Sequence, residues 1–136
     1  MSEAISALKT ELDQSHMRGA IAGFPDQITQ SFAMMNNWEP QNEYPGNQKI
    51  MVLGMGGSAI GGDVARVISQ NTCTVPIVVN RSYNIPEWVD PHTLILASSY
   101  SGGTEETLSA FAQCRERNCP IIVLSTGGKI TELANE

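Results

Sequence analysis

Two glycine- and hydroxyl-rich segments of the sequence contain the residue types that hold a phosphate. The first is Gly-Met-Gly-Gly-Ser at residues 54–58, and the second is Ser-Ser-Tyr-Ser-Gly-Gly-Thr-Glu-Glu-Thr at residues 98–107. Glycine lets a backbone turn sharply and come close to a ligand, so that its amides can point outward. Where such a segment opens a helix, the helix dipole and nearby hydroxyl groups add to the attraction for an anion. The pattern predicts an anion site that needs no cationic side chain.

The second segment is the more specific of the two. Ser99, Ser101 and Thr104 are spaced around two glycines, so their hydroxyls could reach one phosphate while Thr104 caps the following helix. A polar turn with an ordinary cap, which needs only one of these hydroxyls, is the alternative. Glu105 and Glu106 fall in the first turn of that helix, where carboxylates favour the positive end of the dipole. We therefore expect these two glutamates to stabilise the helix, in preference to a catalytic role.

In the first segment, the predicted donors are the backbone amides around Gly56 and Gly57 and the hydroxyl of Ser58. Gly61 and Gly62 follow at the start of the predicted helix, where each glycine costs up to about 1 kcal/mol relative to alanine. Their presence predicts a close approach to a neighbour. That neighbour could be the ligand or only an adjacent strand.

Few other side chains are candidates for the same chemistry. Arg81 ends the second predicted strand and could either steer a phosphate or pair with a carboxylate. His92 precedes the third strand, at the opposite edge of the sheet, and His16 lies in the N-terminal region, so neither is well placed for acid–base work. The three cysteines lack the paired spacing of thiolate metal sites, so we expect them to be reduced and structural, with no metal bound.

The first segment also satisfies the dinucleotide-binding pattern Gly-x-Gly-x-x-Ala, at residues 54–59. That pattern expects an acidic residue near the end of the second strand to hold the ribose hydroxyls, but this strand ends in Asn80 and Arg81. NAD is therefore disfavoured. NADP stays as a minor alternative, and it leaves the second segment unexplained.

The elements that would position the two segments follow a β-α-β rhythm from Lys49 onward. Four short apolar runs are predicted as parallel strands covered on both faces, at residues 50–53, 77–80, 94–98 and 121–124. Helices are predicted near residues 59–69 and 104–117. Right-handed crossovers place every strand-to-helix loop at one edge of the sheet, so the two segments should meet at the carboxyl ends of the strands. The predicted fold class is α/β, an open parallel sheet flanked by helices in a flavodoxin-like three-layer sandwich.

The first 48 residues have helical rather than strand periodicity. Pro25 suits the first turn of a helix, and Ile28, Phe32 and Met35 share one face that we expect to pack on a sheet. We therefore expect an N-terminal helical arm at residues 1–48 and an α/β domain at residues 49–136. Because the sequence stops about two turns into a predicted helix, we expect the sheet to lack its last strand.

Composition limits the class of protein. The 136 residues, 41% of them hydrophobic, suit one globular domain. Eight basic and fourteen acidic residues give a net charge of -6, which argues against non-specific binding to nucleic acid or to an anionic membrane. No signal-peptide pattern opens the sequence, and no window approaches the roughly 18 apolar residues of a membrane span. We expect a cytoplasmic protein with no nucleic-acid or membrane partner.

Five stretches together resemble a known family. They are VLGMGGSAIGGD at residues 52–63, NRSYNIP at 80–86, SYSGGTEETL at 99–108, LSTGGK at 124–129 and FPDQI at 24–28. In combination they look like the sugar isomerase (SIS) domain of bifunctional phosphoglucose/phosphomannose isomerases. The resemblance implies two groups of ligand contacts. They are Gly56, Gly57 and Ser58 for the sugar, and Ser99, Ser101 and Thr104 for the phosphate. One departure is Gly103, where the family usually has asparagine. The missing asparagine side chain predicts a modestly lower affinity for phosphate.

The resemblance also implies an activity, the interconversion of glucose 6-phosphate or mannose 6-phosphate with fructose 6-phosphate, without a metal or redox cofactor. Family members carry two SIS domains, and the glutamate, histidine and lysine of the chemistry lie in the second. No catalytic residue is therefore expected in this chain. A hexose 6-phosphate is the expected ligand, and a homodimer or a second SIS domain is the expected partner. The alternative is a stand-alone regulatory module that binds a phosphosugar without catalysis.

Overall fold

The structure is a computed structural model that describes residues 12–39 and 43–136. The chain forms two compact units, Met1–Glu43 and Tyr44–Glu136. None of the helices in the described ranges combines the length and the apolarity that a membrane crossing requires.

The described part of the first unit contains two helices, α1 (Met17–Ala22) and α2 (Phe24–Met35). Pro25 lies in the first turn of α2, as the sequence predicts. The predicted apolar stripe of α2 is exposed, at 43% for Ile28, 68% for Phe32 and 57% for Met35. Its packing on a sheet stays a prediction.

The second unit is built on a sheet of four parallel strands. The strands are β1 (Lys49–Leu53), β2 (Ile77–Asn80), β3 (Thr93–Ser98) and β4 (Ile121–Leu124). The helices are α3 (Gly56–Ser69), α4 (Glu105–Glu116) and α5 (Lys129–Ala134). The strands agree with the predicted ones to within a residue, and the predicted α/β class with an open parallel sheet is confirmed. Helix α3 begins earlier than predicted because two glycines of the first segment belong to its first turn.

The order of the strands in the sheet is β2-β1-β3-β4. From β1 the chain continues to β2 on one side, whereas from β3 it continues to β4 on the other. The direction of winding therefore reverses between β1 and β3, which are neighbours and end side by side, with Leu53 opposite Ala97. A crevice at such a reversal is the usual place for a ligand in an open α/β sheet. Both predicted segments begin there.

Burial differs from strand to strand. Consecutive residues of the central strand β1 are fully buried, which matches the prediction of a strand covered on both faces. In β3, burial alternates along the strand, and the edge strands β2 and β4 are half-buried. The core joins inward side chains of β1 and β3 to those of α4 and α5, namely Met51, Leu53, Ile95, Ala97, Ala110, Phe111, Cys114 and Ile130.

One of the two helical glycines is explained by the sheet. A Cβ atom on Gly62 would lie 2.9 Å from Cγ1 of Val52 and 3.2 Å from Cγ2 of Val79. At Gly61, by contrast, no atom of the described residues lies within 4 Å of an added Cβ. The close approach at Gly62 is therefore to strands β1 and β2, the second of the two alternatives that the sequence left open.

These neighbours predict opposite effects for two adjacent substitutions. Gly61→Ala removes a flexible residue from an exposed helical position and should raise the free energy of unfolding by up to about 1 kcal/mol. Gly62→Ala inserts a methyl group into a filled space and should lower it by about 1–3 kcal/mol. Urea unfolding of both variants measures the two changes, and changes of the same sign would contradict this account of α3.

A charged cluster holds the loop between β2 and β3 at the amino edge of the sheet. The Lys49 ammonium donates to a carboxylate oxygen of Asp90 at 2.9 Å and to the carbonyl oxygen of Trp88 at 3.1 Å, and it lies 5.6 Å from the centre of the Trp88 ring. The hydrogen bond from Lys49 is the largest cause that lowers the pKa of Asp90, with further bonds from Thr93 and the His92 amide, while desolvation opposes it.

A lowered pKa in the folded state makes the contribution of Asp90 to stability dependent on pH. That contribution is fully present above the ordinary aspartate pKa of about 3.9 and is lost as the pH falls through the lowered folded value. We expect Asp90→Asn to be less stable than the parent at pH 7, and the difference to shrink steadily below about pH 4. Denaturant unfolding across this range tests it. A difference that stays constant down to pH 2 would contradict the lowered pKa.

All three cysteines, Cys73, Cys114 and Cys119, are free thiols. Burial is the main cause that raises the pKa of Cys114 to about 12, and it also raises the pKa of Cys119. Both buried thiols therefore stay protonated at neutral pH. Cys114 and Cys119 have a place in the core, in line with the structural role expected of them, and the reduced state of the cysteines stays a prediction.

Candidate phosphate site at the carboxyl edge of the sheet

The two predicted segments lie next to each other at the carboxyl ends of β1 and β3. We call residues 54–58 the first loop and residues 99–104 the second loop. A Cβ atom on Gly54 would lie 3.0 Å from the carbonyl oxygen of Ser98, so the backbones of the two connections nearly touch. The sequence prediction that these segments meet is confirmed.

The first loop leads directly into α3. Met55 occupies the N-cap position in an extended conformation, and Gly56 follows with φ of +51°, in the left-handed region that favours glycine. Gly56 and Gly57 are exposed and Ser58 is half-buried. Within the described residues no side chain caps α3. The exposed first turn can therefore offer amides to an anion.

The second loop brings together the three predicted hydroxyl residues. The Ser99 hydroxyl, which is buried, donates to the Thr104 hydroxyl oxygen at 3.3 Å. The Ser101 hydroxyl oxygen accepts a hydrogen bond from the amide of Gly103 at 3.3 Å. The loop also turns on itself, since the amide of Gly102 donates to the carbonyl oxygen of Ser99 at 3.1 Å. The three hydroxyls thus belong to one compact turn ahead of α4.

Thr104 differs from its prediction in one respect. It occupies the N-cap position of α4, but its side chain makes no capping bond to that helix. Its hydroxyl faces Ser99 instead. The reading of the loop as a polar turn with an ordinary cap therefore loses its main support, and the Thr104 hydroxyl keeps hydrogen-bonding capacity for a ligand.

Arg81, the one cationic candidate, is paired with a carboxylate. Its guanidinium forms an ion pair with Asp63 of α3. Arg66, one turn further along the same helix, lies 4.0 Å from the other oxygen of that carboxylate. Of the two roles that the sequence left open for Arg81, the structure shows the ion pair.

Tyr83 is a residue of this edge that the sequence analysis did not single out. Its hydroxyl donates to Glu105 at 3.4 Å, and its carbonyl oxygen accepts a hydrogen bond from Gln113 at 2.7 Å. The charge of Glu106 is the first cause that raises the pKa of Tyr83, followed by desolvation and by Glu105. Tyr83 therefore stays protonated and holds the β2–β3 connection against the first turn of α4. The sequence signal was its position just after a strand that ends at this edge.

A third loop, at residues 125–128, lies beside the second. It follows β4, and the amide of Ser99 donates to the carbonyl oxygen of Leu124 at 3.0 Å. A Cβ atom on Gly102 would overlap the carbonyl group of Gly127. Sequence reasoning did not assign this loop to the site, although a Ser-Thr-Gly-Gly run directly after a parallel strand was the available signal.

The histidine of the second unit, His92, lies away from these loops, as predicted. His92 directly precedes β3, and its carbonyl oxygen accepts a hydrogen bond from the amide of Gln48 at 2.9 Å, at the amino edge of the sheet. His16 belongs to the first unit, where it precedes α1. Among the described residues, no group of three or more histidine, cysteine or acidic side chains is placed to hold a metal ion.

No family model matches the sequence, but individual relatives do. The chain is 40% identical over 117 residues to the bifunctional phosphoglucose/phosphomannose isomerase of Caldicellulosiruptor bescii, which covers 86% of this chain and 34% of the relative. The protein of the same description from Thermoplasma acidophilum is 40% identical over 84 residues, 62% of this chain and 26% of the relative. A D-glucosamine-6-phosphate 4-epimerase from Sulfolobus acidocaldarius is 39% identical over 88 residues, 64% of this chain and 27% of the relative.

Solved structures share the fold. A protein of Clostridium difficile 630 described as a phosphosugar isomerase superposes with a TM-score of 0.58 at 23% identity, over 66% of this chain and 28% of that one. One of the same description from Salmonella typhimurium LT2 gives 0.56 at 20% identity, over 63% and 28%. The chain spans about a third of the length of the first curated relative. Over that span it belongs to the bifunctional phosphoglucose/phosphomannose isomerase family, and it has the SIS fold of phosphosugar isomerases.

Proposed function

We propose that residues 49–136 form a domain that binds a hexose 6-phosphate at the carboxyl edge of the sheet. The predicted helical arm, residues 1–48, precedes it, and residues 1–11 and 40–42 of that prediction lie outside the described residues. The observation that carries the proposal is the second loop. Its three hydroxyl residues lie in one turn at the reversal of the strand order, and the hydroxyl of Thr104 is not used to cap α4.

The two loops take different parts of the ligand in this proposal. Ser99, Ser101 and Thr104 bind the phosphate, at the positive end of the α4 dipole. Each hydrogen bond to a charged phosphate oxygen contributes about 1.5–3 kcal/mol. The first loop contacts the sugar, through the amides of Gly56 and Gly57 and the hydroxyl of Ser58. Since Arg81 is held by Asp63, we propose only an indirect electrostatic role for it.

The parent activity that we propose is the interconversion of glucose 6-phosphate or mannose 6-phosphate with fructose 6-phosphate. This reaction needs a base that removes the proton next to the carbonyl and returns it through an enediol. We assign no residue of this chain to that step. Glu105 accepts a hydrogen bond from Tyr83, and Glu106 lies beside the same tyrosine in the first turn of α4, where both carboxylates stabilise the helix.

The base then comes from a second SIS domain, without a metal or redox cofactor. A homodimer is the other proposed assembly, but a second copy of this chain would not supply the base. We propose that the protein acts in the cytoplasm. The alternative is a regulatory module that binds the phosphosugar without turnover. An isomerase activity assay on the same sample distinguishes this module from an enzyme. No observation favours the NADP alternative.

Calorimetric titration tests the proposal. Fructose 6-phosphate should bind, inorganic phosphate should bind more weakly, and fructose should not bind measurably, because the phosphate supplies most of the affinity. Ser58→Ala should weaken the affinity for fructose 6-phosphate about three- to tenfold, the contribution of one hydrogen bond. It should leave the affinity for inorganic phosphate unchanged.

Ser69→Ala is the matched control for Ser58→Ala. Ser69 ends the same helix, and its hydroxyl donates to the carbonyl oxygen of Ala65 at 2.6 Å. Its removal should leave both affinities as they are. Equal binding of fructose and fructose 6-phosphate, or binding of neither, would overturn the proposed function.

A further inference from the structure

The third loop holds the second loop through backbone acceptors. The Thr126 hydroxyl donates to the carbonyl oxygen of Tyr100 at 2.6 Å, and the Thr126 amide donates to the same oxygen at 3.3 Å. Further along, the amide of Ile130 donates to the carbonyl oxygen of Gly102 at 2.9 Å. Two successive points of the second loop are therefore tied to the segment that follows β4.

Tyr100 is the residue between the two serines that we assign to the phosphate. Its side chain is 78% exposed, so side-chain packing does little to fix this part of the backbone. The two hydrogen bonds from Thr126 fix its carbonyl group instead. This carbonyl group belongs to the peptide that joins Tyr100 to Ser101, so its orientation constrains the backbone from which the Ser101 hydroxyl extends.

The contact between the loops leaves no room for adjustment. A Cβ atom on Gly128 would overlap the carbonyl oxygen of Ser101, just as one on Gly102 would overlap Gly127. The third loop therefore fixes the position of the second loop by close contact as well as by hydrogen bonds. Such a fixed loop binds its ligand with less loss of conformational entropy than a mobile one.

We propose that Thr126 is a positioning residue for phosphate binding, acting through the carbonyl group of Tyr100 and not through contact with the ligand. This inference rests on the proposed function of the second loop. The Thr126 hydroxyl is donated to a backbone carbonyl oxygen of the second loop. Thr126 itself lies in the third loop, outside the three hydroxyl residues that we assign to the phosphate. The site then consists of two ligand-binding loops and a third loop that orients one of them.

Thr126→Val tests this inference, because it keeps the shape of the side chain and removes the hydroxyl. It should weaken the affinities for inorganic phosphate and for fructose 6-phosphate by the same factor, about three- to tenfold, which is the effect expected for one hydrogen bond. Thr126→Ser, which keeps the hydroxyl, should restore both affinities. Thermal unfolding without ligand should change little, since Thr126 is exposed.

Thr72→Val is the matched control. Thr72 is also exposed, and its hydroxyl also donates to a backbone carbonyl oxygen, that of Ser69, at 3.3 Å in the turn after α3. It should leave both affinities unchanged. An unchanged affinity in Thr126→Val, a loss for fructose 6-phosphate alone, or no rescue by serine would each overturn the inference while the proposed function stands. If the parent protein binds neither phosphate compound, the proposed function itself fails, and the role of Thr126 fails with it.

Discussion

Gly102→Ala should lower the free energy of unfolding by about 3 kcal/mol and weaken phosphosugar binding about 100-fold. Gly102 has φ of +68°, and this conformation costs an alanine about 1–2 kcal/mol. The added methyl group would also overlap the carbonyl group of Gly127, and overpacking of this kind costs about 1–3 kcal/mol more. The second loop must move to relieve the overlap, and a displacement of about 1 Å at a binding group can cost about a factor of 100.

Gly103→Ala is the control for this prediction, since it makes the same chemical change one residue later. Gly103 is exposed, its φ is not positive, and no atom of the described residues lies within 4 Å of an added Cβ. It should change stability by less than about 0.5 kcal/mol and affinity by less than about threefold. Denaturant unfolding and calorimetry on both variants give the comparison. Equal effects at the two positions would show that the contact with the third loop does not shape the site.

The double substitution Ser101→Ala with Thr104→Val should have the largest effect on binding, a loss of about 100-fold or more for fructose 6-phosphate. Two hydroxyls that bind a charged phosphate would be removed, at about 1.5–3 kcal/mol each. Stability should fall by about 1–3 kcal/mol, because Thr104→Val leaves the buried Ser99 hydroxyl without its acceptor. Ser101 is exposed and Thr104 makes no capping bond, so we expect no larger loss.

The matched control is a double variant that removes two hydroxyls far from the loops, Ser69→Ala with Thr72→Val. Both hydroxyls donate to backbone carbonyl oxygens near the end of α3. Calorimetry should find the affinity of this control equal to that of the parent. If the Ser101 and Thr104 double variant also kept the affinity of the parent, the second loop would not be the phosphate site.

The sheet and the meeting of the two loops could be predicted because each depends on local patterns. Apolar runs bounded by glycine, serine or asparagine fix the strands to within a residue, and parallel strands with regular crossovers place their loops at one edge. The reversal of strand order between β1 and β3 then brings the two segments next to each other. No knowledge of side-chain packing was needed for this step.

Features that depend on contacts between distant residues could not be predicted in the same way. The pairing of Arg81 with Asp63 joins a strand end to the second turn of α3. From the sequence alone, this pairing and a phosphate-steering role for Arg81 were equally well supported. The Thr104 hydroxyl turns to Ser99 although its position is that of a cap. The hold of Thr126 on Tyr100 depends on β4 lying beside β3, a pairing that sequence spacing does not specify.

Amide chemical shifts recorded by nuclear magnetic resonance during a titration with fructose 6-phosphate test the central claim most directly. The account predicts saturable shifts at residues 99–104 and 56–58, with little change at Gln48 and His92, whose backbones meet at the amino edge of the sheet. Inorganic phosphate should shift residues 99–104 alone. Shifts confined to the amino edge, or none in either loop at saturating ligand, would contradict the proposal that these loops bind a phosphosugar.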